Sequence, residues 1–201
     1  MDKIDLKKRF KELYSAPTRE FCEIHVPTLT YLKVDGAGDP NSAAAYREAI
    51  TWLYGVSYAV KFAAKALGQD YVVPPLEALW WADDPGSFVR REKETWRWTV
   101  MIPAPDIVTD AMFEAAAAKI GAKLGPRPVS LRFEPYAEGR SLQILHIGRY
   151  DDEGPTLARL HHEVMPGRGV TFNGPHHEIY LSDPRKTEAA KLRTILRQPI
   201  R

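Results

Sequence analysis

The sequence has little of several features that would point to common functional classes. Its 201 residues contain a single cysteine, Cys22, so no disulfide can form within the chain and we expect a reducing, cytoplasmic location. The longest apolar-rich run without a charge, from Ala49 to Val60, falls short of the ~20 residues that cross a bilayer. The N-terminus lacks the apolar segment of a signal peptide. A net charge of +2 is too small for a nucleic-acid-binding surface. We therefore expect neither a membrane nor a nucleic-acid partner, and the oligomeric state is left open.

Motifs for several kinds of catalytic site are also missing. The glycine-rich stretch "VDGAGDPN" has neither GxGxxG nor a Gly-Lys-Ser/Thr ending, so it predicts a tight strand-to-helix turn with a positive φ at Gly36 or Gly38. No Gly-x-Ser-x-Gly nucleophile motif occurs. His176 and His177 are adjacent, and in a strand they point to opposite faces, so both cannot bind one metal ion. We expect no metal and no cofactor.

The first half of the chain predicts a strand, a long helix and two further strands. Residues 29–34 form the expected strand. The helix is expected over 41–67, capped by Asn41 or Ser42 and stopped by Gly68. The segments "VVPPLEALWWAD" and "ETWRWTVMIPAP" are rich in Trp, Val and Ile and predict two strands. The N-terminal segment is either a short amphipathic helix or a packed arm.

The second half repeats this order in outline. A helix with Thr109 as its cap and Gly121 as its stop leads into strands on both sides of "AEGR". A strand ending in "HIGRYDDEGP" then precedes a helix, whose acidic start (Asp151, Asp152 and Glu153) is expected to cap it. We predict a single α+β domain over 1–201, with a first module at about 20–105, a second at about 128–183, and a basic C-terminal helix at 184–198.

Aromatic side chains are concentrated on a few predicted elements. Trp80 and Trp81 should lie on opposite faces of one strand, and Trp96 and Trp98 on one face of the next. Tyr54 and Tyr58 are one helical turn apart. For any one of these rings, ordinary core packing is a sufficient explanation. Together they exceed what two small cores need, which favours an aromatic-lined cleft for flat or cationic molecules.

Glu178 is the acidic residue associated with this aromatic set. In the predicted strand "HHEIYL", His176, Glu178 and Tyr180 share one face, whereas His177 and Ile179 share the other. Two interpretations of Glu178 remain: a solvated strand residue, or a partly buried carboxylate that faces a cavity between the two halves.

Long segments of the chain resemble one protein family. They include "YREAITWLYGVSYAVKF", "LEALWW", "WRWTVMIPAPD", "LHIGRYDDEGPTLARLH" and "HHEIYLSDPRKTEAAKLRTILRQP". In this order they resemble the stand-alone members of the bacterial gyrase-inhibitor-like (GyrI-like) small-molecule-binding family. The resemblance implies an α+β fold of two pseudo-symmetric strand-helix-strand modules with a ligand cleft between them. Ala78 in "LEALWW" stands where the family pattern has glycine, which would narrow the cleft.

The resemblance also implies a function. Related domains of multidrug-sensing transcription activators bind bulky aromatic cations with a buried glutamate, and some stand-alone members hydrolyse cyclopropanoid alkylating compounds. By this resemblance Glu178 is the expected catalytic base, and the expected hydrogen-bond donor is a cleft tyrosine, Tyr54 or Tyr58, with Tyr54 taken as the catalytic one. The alternative is a protein that sequesters or senses a ligand without turnover. The predicted ligand-binding residues are Tyr58, Trp80, Trp81, Trp98, His146, His176 and Tyr180.

Overall fold

The computed structural model describes residues 3–84 and 86–201, and their strands form one antiparallel sheet beside several helices. The strands are β1 (Cys22–Val26), β2 (Leu29–Ala37), β3 (Glu77–Trp81), β4 (Arg97–Ala104), β5 (Arg132–Tyr136), β6 (Gly139–Ile147), β7 (His176–Tyr180) and β8 (Arg193–Pro199). The helices are α1 (Leu6–Arg9), α2 (Ala44–Ala66), α3 (Gly86–Val89), α4 (Asp110–Leu124), α5 (Gly154–Arg159) and α6 (Met165–Gly167). A π-helical turn, Leu160–Val164, joins α5 to α6.

The strand order reveals an internal twofold symmetry. The sheet runs β1-β6-β8-β7-β3-β4-β2-β5. If each of β1 to β4 is exchanged with its counterpart among β5 to β8, the result is the same strand order read from the opposite edge of the sheet. Each half is therefore a strand-strand-helix-strand-strand unit. The edge strands are exchanged, because β1 pairs with β6 and β5 pairs with β2. The two halves meet where β3 pairs with β7, with Ala78 opposite Glu178. The α+β fold with two pseudo-symmetric modules is therefore confirmed.

The long helix of the first half lies close to its expected position. Its buried residues recur every three or four positions, including Trp52, Val56 and Val60, and they pack this face against the sheet. Gly68 follows the helix with φ +82°, as expected of a glycine stop. The predicted cap is wrong. The cap position is Ala43, whose side chain makes no capping hydrogen bond.

The helix α4 begins as predicted and ends later. The Thr109 hydroxyl accepts a hydrogen bond from the Met112 amide (3.3 Å), which confirms the cap. Gly121 does not stop the helix; it lies within it, against the Trp52 ring. The stop is Gly125, with φ +96°. Gly121 thus allows α4 to pack closely against Trp52 of α2. Its position in the sequence does not distinguish this role from that of a glycine that ends a helix.

The predicted C-terminal helix at 184–198 is wrong. Apart from one short helical turn, Ala189–Lys191, the segment leads into β8, which lies between β6 and β7. An interior strand is covered on both faces, so it shows no regular polar alternation. Arg197, one of the basic residues of this segment, is buried beside Glu138. The second module therefore extends to Pro199.

The first glycine-rich segment combines strand and turn. The strand β2 continues through Gly36, where the Trp98 ring lies so close to the backbone that a Cβ atom would overlap it. Gly38 takes the positive φ of +99° that the turn requires.

The sheet is covered on both faces. The helices α2, α4 and α5 lie on one face. On the other, the N-terminal arm packs Leu13 and Tyr14 against Leu79, Ile179 and Ile195. This arm contains the short helix α1, so both interpretations of the N-terminal segment apply. In the described part of the chain, no helix is long and apolar enough to cross a membrane.

Candidate functional site

A cavity of about 1680 Å³ lies over the junction of the two halves. Its floor includes residues of β3 and β7, with α2 on one side and the segment from Tyr150 to His162 on the other. Side chains of both central strands, including Trp80 of β3 and Glu178 of β7, line this cavity. The aromatic and titratable residues that line it include Tyr46, Tyr54, Tyr58, Trp80, Trp96, Tyr150, Glu153, His161, His176, Glu178 and Tyr180.

Glu178 lies on the cavity floor with a defined set of hydrogen-bond donors. The Tyr180 hydroxyl, two residues along the same face of β7, donates to Glu178 Oε2 at 2.8 Å. Trp80 Nε1 on β3 in turn donates to the Tyr180 hydroxyl at 3.1 Å. Burial raises the pKa of Glu178 to about 7, although the hydrogen bond from Tyr180 opposes this rise. A carboxyl group with this pKa can accept a proton or hold a cation near neutral pH. Of the two interpretations of Glu178, the structure supports the buried carboxylate.

Aromatic rings form the α2 side of the cavity. Tyr46 stacks on Trp80, with ring centroids 6.0 Å apart, and Trp96 meets Trp80 edge to face, also at 6.0 Å. Tyr54 stacks on Tyr58 at 6.4 Å, and Tyr58 remains 46% exposed. Tyr58 thus stands at the rim, whereas Tyr54 lies deeper.

Unpartnered polar atoms are found on the opposite side. Neither ring nitrogen of His176 has a hydrogen-bond partner, and Nε2 lies 3.7 Å from Glu178 Oε1. Burial lowers the pKa of His176 to about 3, so its ring is neutral. His161 Nε2, on the π-helical turn, also lacks a partner. Buried polar atoms without partners are costly in a folded protein, and such atoms in a cavity are available to a ligand.

Glu153 is another buried carboxyl group that lines the cavity, although its sequence position predicted a helix cap. It occupies the cap position of α5, but its side chain makes no capping hydrogen bond. It is 5% exposed, and its Oε1 has no hydrogen-bond partner. Burial, followed by the charge of Glu178, raises its pKa well above the usual range.

Two predicted ligand-binding residues, Trp98 and His146, lie outside the cavity. Trp98 is completely buried, because it fills the space over Gly36 and packs edge to face against Tyr46 at 5.0 Å. It supports the cavity wall from behind. His146 lies near the end of β6, where its Nε2 is 3.0 Å from the Arg149 carbonyl oxygen, in a separate surface depression.

The two adjacent tryptophans of β3 behave as strand alternation requires. Trp80 faces the cavity, whereas Trp81 packs against the core of the other sheet face and borders the cavity at the strand end. Ala78 is fully buried beneath the cavity and does not line it, so the expected narrowing is wrong.

Five of the aromatic and titratable lining residues named above were not predicted from the sequence. Tyr46 had a usable signal, because Tyr46, Tyr54 and Tyr58 recur at multiples of four along one helix. Trp96 was already expected to share a face with other aromatic residues. Tyr150, Glu153 and His161 gave no such signal, because only the packing of α5 and the π-helical turn on β6 and β8 brings their segment beside β7. Among the described residues, no three His, Cys, Asp or Glu side chains are arranged to hold a metal ion.

A buried charge network lies directly behind the site, on the other sheet face. His177 Nδ1 is 3.0 Å from Glu138 Oε1, and His177 Nε2 is 3.0 Å from Glu77 Oε2. Arg197 Nη1 completes the group at 3.2 Å from Glu138 Oε2. Burial alone would lower the pKa of His177, but the two carboxylates outweigh it and raise the pKa to about 9. The network joins β3 of the first half to β7 and β8 of the second.

Comparison with known proteins identifies the family. The model of the GyrI-like small molecule binding domain matches residues 61–201. The chain is similar to an uncharacterized conserved protein from Listeria innocua, with 36% identity, a TM-score of 0.88 and coverage of 99% of this chain and 100% of that one. It is also similar to a hydrolase encoded by lin2189 from Listeria innocua, with 34% identity, a TM-score of 0.86 and full coverage of both chains.

More distant matches show the fold alone. The EcmrR C-terminal domain is 12% identical, with a TM-score of 0.57, and covers 90% of this chain and 97% of its own. No match was found among functionally curated proteins. The family match over most of the chain and the full-length likeness to the two Listeria proteins agree, and the chain belongs to the family of GyrI-like small-molecule-binding domains.

Proposed function

We propose that this protein binds planar aromatic or cationic xenobiotics in the cavity and hydrolyses cyclopropanoid alkylating compounds there. The observation that carries the proposal is Glu178, a buried carboxyl group that titrates near neutral pH on the floor of an aromatic cavity. Flat rings gain from contact with Tyr46, Trp80 and Trp96, and cation–π contacts contribute ~0.5–2 kcal/mol each. A positive charge on the ligand gains further from ionised Glu178.

The same residues suit a ring-opening reaction. In a cyclopropane fused to a dienone, water attacks a cyclopropane carbon, the strained C–C bond breaks, and the electron pair moves through the ring to the carbonyl oxygen. Glu178 takes a proton from the attacking water as general base. Tyr54 donates a hydrogen bond to the oxygen where negative charge develops, since burial raises its pKa and keeps the hydroxyl protonated. The product is a phenol that has gained one water molecule.

Two considerations bear on turnover as opposed to binding alone. A Listeria protein that is 34% identical over its full length is a hydrolase, which favours turnover in this chain. The alternative function, sequestering or sensing of a ligand, would use the same aromatic cavity and the same buried glutamate.

The test is a turnover assay with a spirocyclopropyl cyclohexadienone at substoichiometric protein. Mass spectrometry should detect the water adduct accumulating over many protein equivalents. General-base catalysis is worth ~10²–10⁴-fold, so Glu178→Gln should slow product formation by about that factor while leaving binding of the neutral dienone roughly unchanged. Tyr54→Phe tests the donor, and Tyr58→Phe, at the exposed rim, is its matched control.

Two outcomes would contradict parts of the proposal. If the dienone disappears only in proportion to the protein added and no adduct is released, the protein is a sequestering binder. If Glu178→Gln turns over as fast as wild type, Glu178 is not the base.

A further inference from the structure

Glu153 is a buried carboxyl group that the proposed mechanism does not use. Glu153 lies at the start of α5 and Glu178 lies on β7, and both elements belong to the second half of the protein. Both side chains line the same cavity, and both are largely removed from solvent. Among the described residues Glu153 Oε1 has no partner and the side chain does not cap α5, so a contact with Thr194 is what the fold itself supplies to this carboxyl group.

We propose that Glu153 and Glu178 form a carboxyl pair that holds a proton in the empty cavity and releases it when a flat organic cation binds between them and the aromatic wall. This rests on the binding part of the proposed function and is independent of turnover. The ligand class that fits is an aromatic cation whose charged side faces β7 and α5 while its flat side contacts α2 and β3.

Two carboxyl groups in one apolar cavity cannot both ionise at low cost, because each ion is poorly solvated and repels the other. Burial, and after it the charge of Glu178, raises the pKa of Glu153 well above its usual range. Burial raises the pKa of Glu178 to about 7. At neutral pH the pair therefore retains a proton, which is a macroscopic property of the pair and not of either residue alone.

The surroundings supply little positive charge to offset the pair. The groups around Glu153 are Asp151, Tyr150, Glu178, Tyr180 and Thr194. The groups around Glu178 are Tyr46, Trp80, Tyr150, His176, His177 and Tyr180. His177 lies on the other sheet face between two carboxylates, and Arg91 and Lys93 at the cavity edge are paired with Asp151. Lys7, Arg149, Arg185 and Lys186 also line the cavity, but within the described part of the chain no Lys or Arg forms an ion pair with Glu153 or Glu178, so a cationic ligand can balance the charge of the pair.

The neighbouring histidines extend the polar side of the cavity. His161 Nε2 and both ring nitrogens of His176 are without partners, and both rings line the cavity. A ligand bearing amino or hydroxyl groups near its charge would satisfy these atoms. The cavity therefore has a polar side and an aromatic side, which would fix the orientation of a cationic ligand.

The experiment uses ethidium, a flat cation whose charge does not change between pH 5 and 9. Calorimetric titrations in two buffers of different ionisation enthalpy measure the protons released on binding, and fluorescence gives the affinity at each pH. Wild type should release up to about one proton per ethidium at pH 7. In Glu153→Gln only Glu178 is left to hold a proton and the raised pKa of the pair is lost, so proton release should fall by at least half and the midpoint of the affinity–pH curve should move down by about one pH unit. Glu163→Gln, an exposed substitution on the adjacent π-helical turn, is the matched control.

The possible outcomes separate this inference from the proposed function. If Glu153→Gln and wild type release the same number of protons with the same midpoint, Glu153 is not part of the site, although ethidium binding would still support the proposed function. If ethidium does not bind wild type at all, cation binding itself is refuted, and this inference with it. If Glu153→Gln does not fold, carboxyl-carbon NMR of the wild-type protein tests the inference. A Glu153 resonance that titrates in the ordinary range and does not respond to ethidium would show that Glu153 and Glu178 do not form a carboxyl pair.

Discussion

The buried histidine behind the site makes a quantitative prediction for the pH dependence of stability. His177 is completely buried between Glu77 and Glu138, and its pKa rises from 6.5 to about 9 in the folded protein. A group whose pKa is raised by folding stabilises the protein below its unfolded value and loses that contribution as pH rises through the folded value. The free energy of unfolding should therefore fall between pH 6.5 and 9, by on the order of 3 kcal/mol from this residue.

The substitution that tests this is His177→Gln. It removes the positive charge and leaves both carboxylates buried, with Arg197 paired to Glu138 and the Tyr14 hydroxyl donating to Glu77, which should destabilise the protein by about 3–5 kcal/mol at pH 6.5. As pH rises to 9 the wild type loses the same charge, so the difference between the two proteins should shrink. His176→Gln, on the opposite sheet face with a neutral ring, should show no such convergence.

Urea unfolding at half-unit intervals from pH 6 to 9.5 measures these differences. Parallel stability curves for wild type and His177→Gln over this range would refute the assignment of a charged histidine. If His177→Gln does not fold, the pH dependence of the wild-type unfolding free energy tests the prediction alone. Near pH 8 the folded protein holds one proton more than the unfolded chain, so the free energy of unfolding should fall by up to about 1.4 kcal/mol per pH unit. A flat curve there would contradict the prediction.

Two further substitutions test the packing and the hydrogen bonds of the site. Gly36→Ala would place a methyl group inside the Trp98 ring, so it should lower the free energy of unfolding by at least ~1–3 kcal/mol in denaturant melts, whereas Gly167→Ala, with open space around its Cβ, should change it little. Tyr180→Phe removes the donor to Glu178, so the pKa of Glu178 should rise further and ethidium affinity at pH 7 should fall up to about tenfold, with the affinity–pH midpoint moving up. An unchanged midpoint in Tyr180→Phe would show that this hydrogen bond does not set the charge of Glu178.

The parts of the fold that were predictable depend on local periodicity. The helix α2 has a buried stripe that recurs every three to four residues, and β7 alternates strictly, so His176, Glu178 and Tyr180 could be placed on one face from the sequence. The strand β8 was mistaken for a helix because its charged Arg197 and polar Gln198 are buried by long-range partners that no local pattern reveals.

The same distinction explains the errors in the site. Trp80 and Trp98 have equivalent local patterns, but Trp98 is excluded from the cavity because Gly36 on the neighbouring strand makes room for its ring. Glu153 has the sequence context of a helix cap. The packing of α5 on β6 and β8, next to β7, brings the start of α5 to the cavity that Glu178 occupies.

The central strand pair connects the two chemical regions of the protein. On one face of β7, Glu178 lies in an aromatic cavity; on the other, His177 is held between two carboxylates. The charge on His177 favours ionisation of Glu178 through the sheet, which opposes the effect of burial. If His177 loses its proton above about pH 9, Glu178 loses this support, so the network that joins the halves also helps to keep the pKa of the site carboxyl within reach of neutral pH. Wild-type protein and His177→Gln should therefore differ in the midpoint of ethidium binding, with the variant shifted to higher pH, in the same fluorescence titration that tests the carboxyl pair.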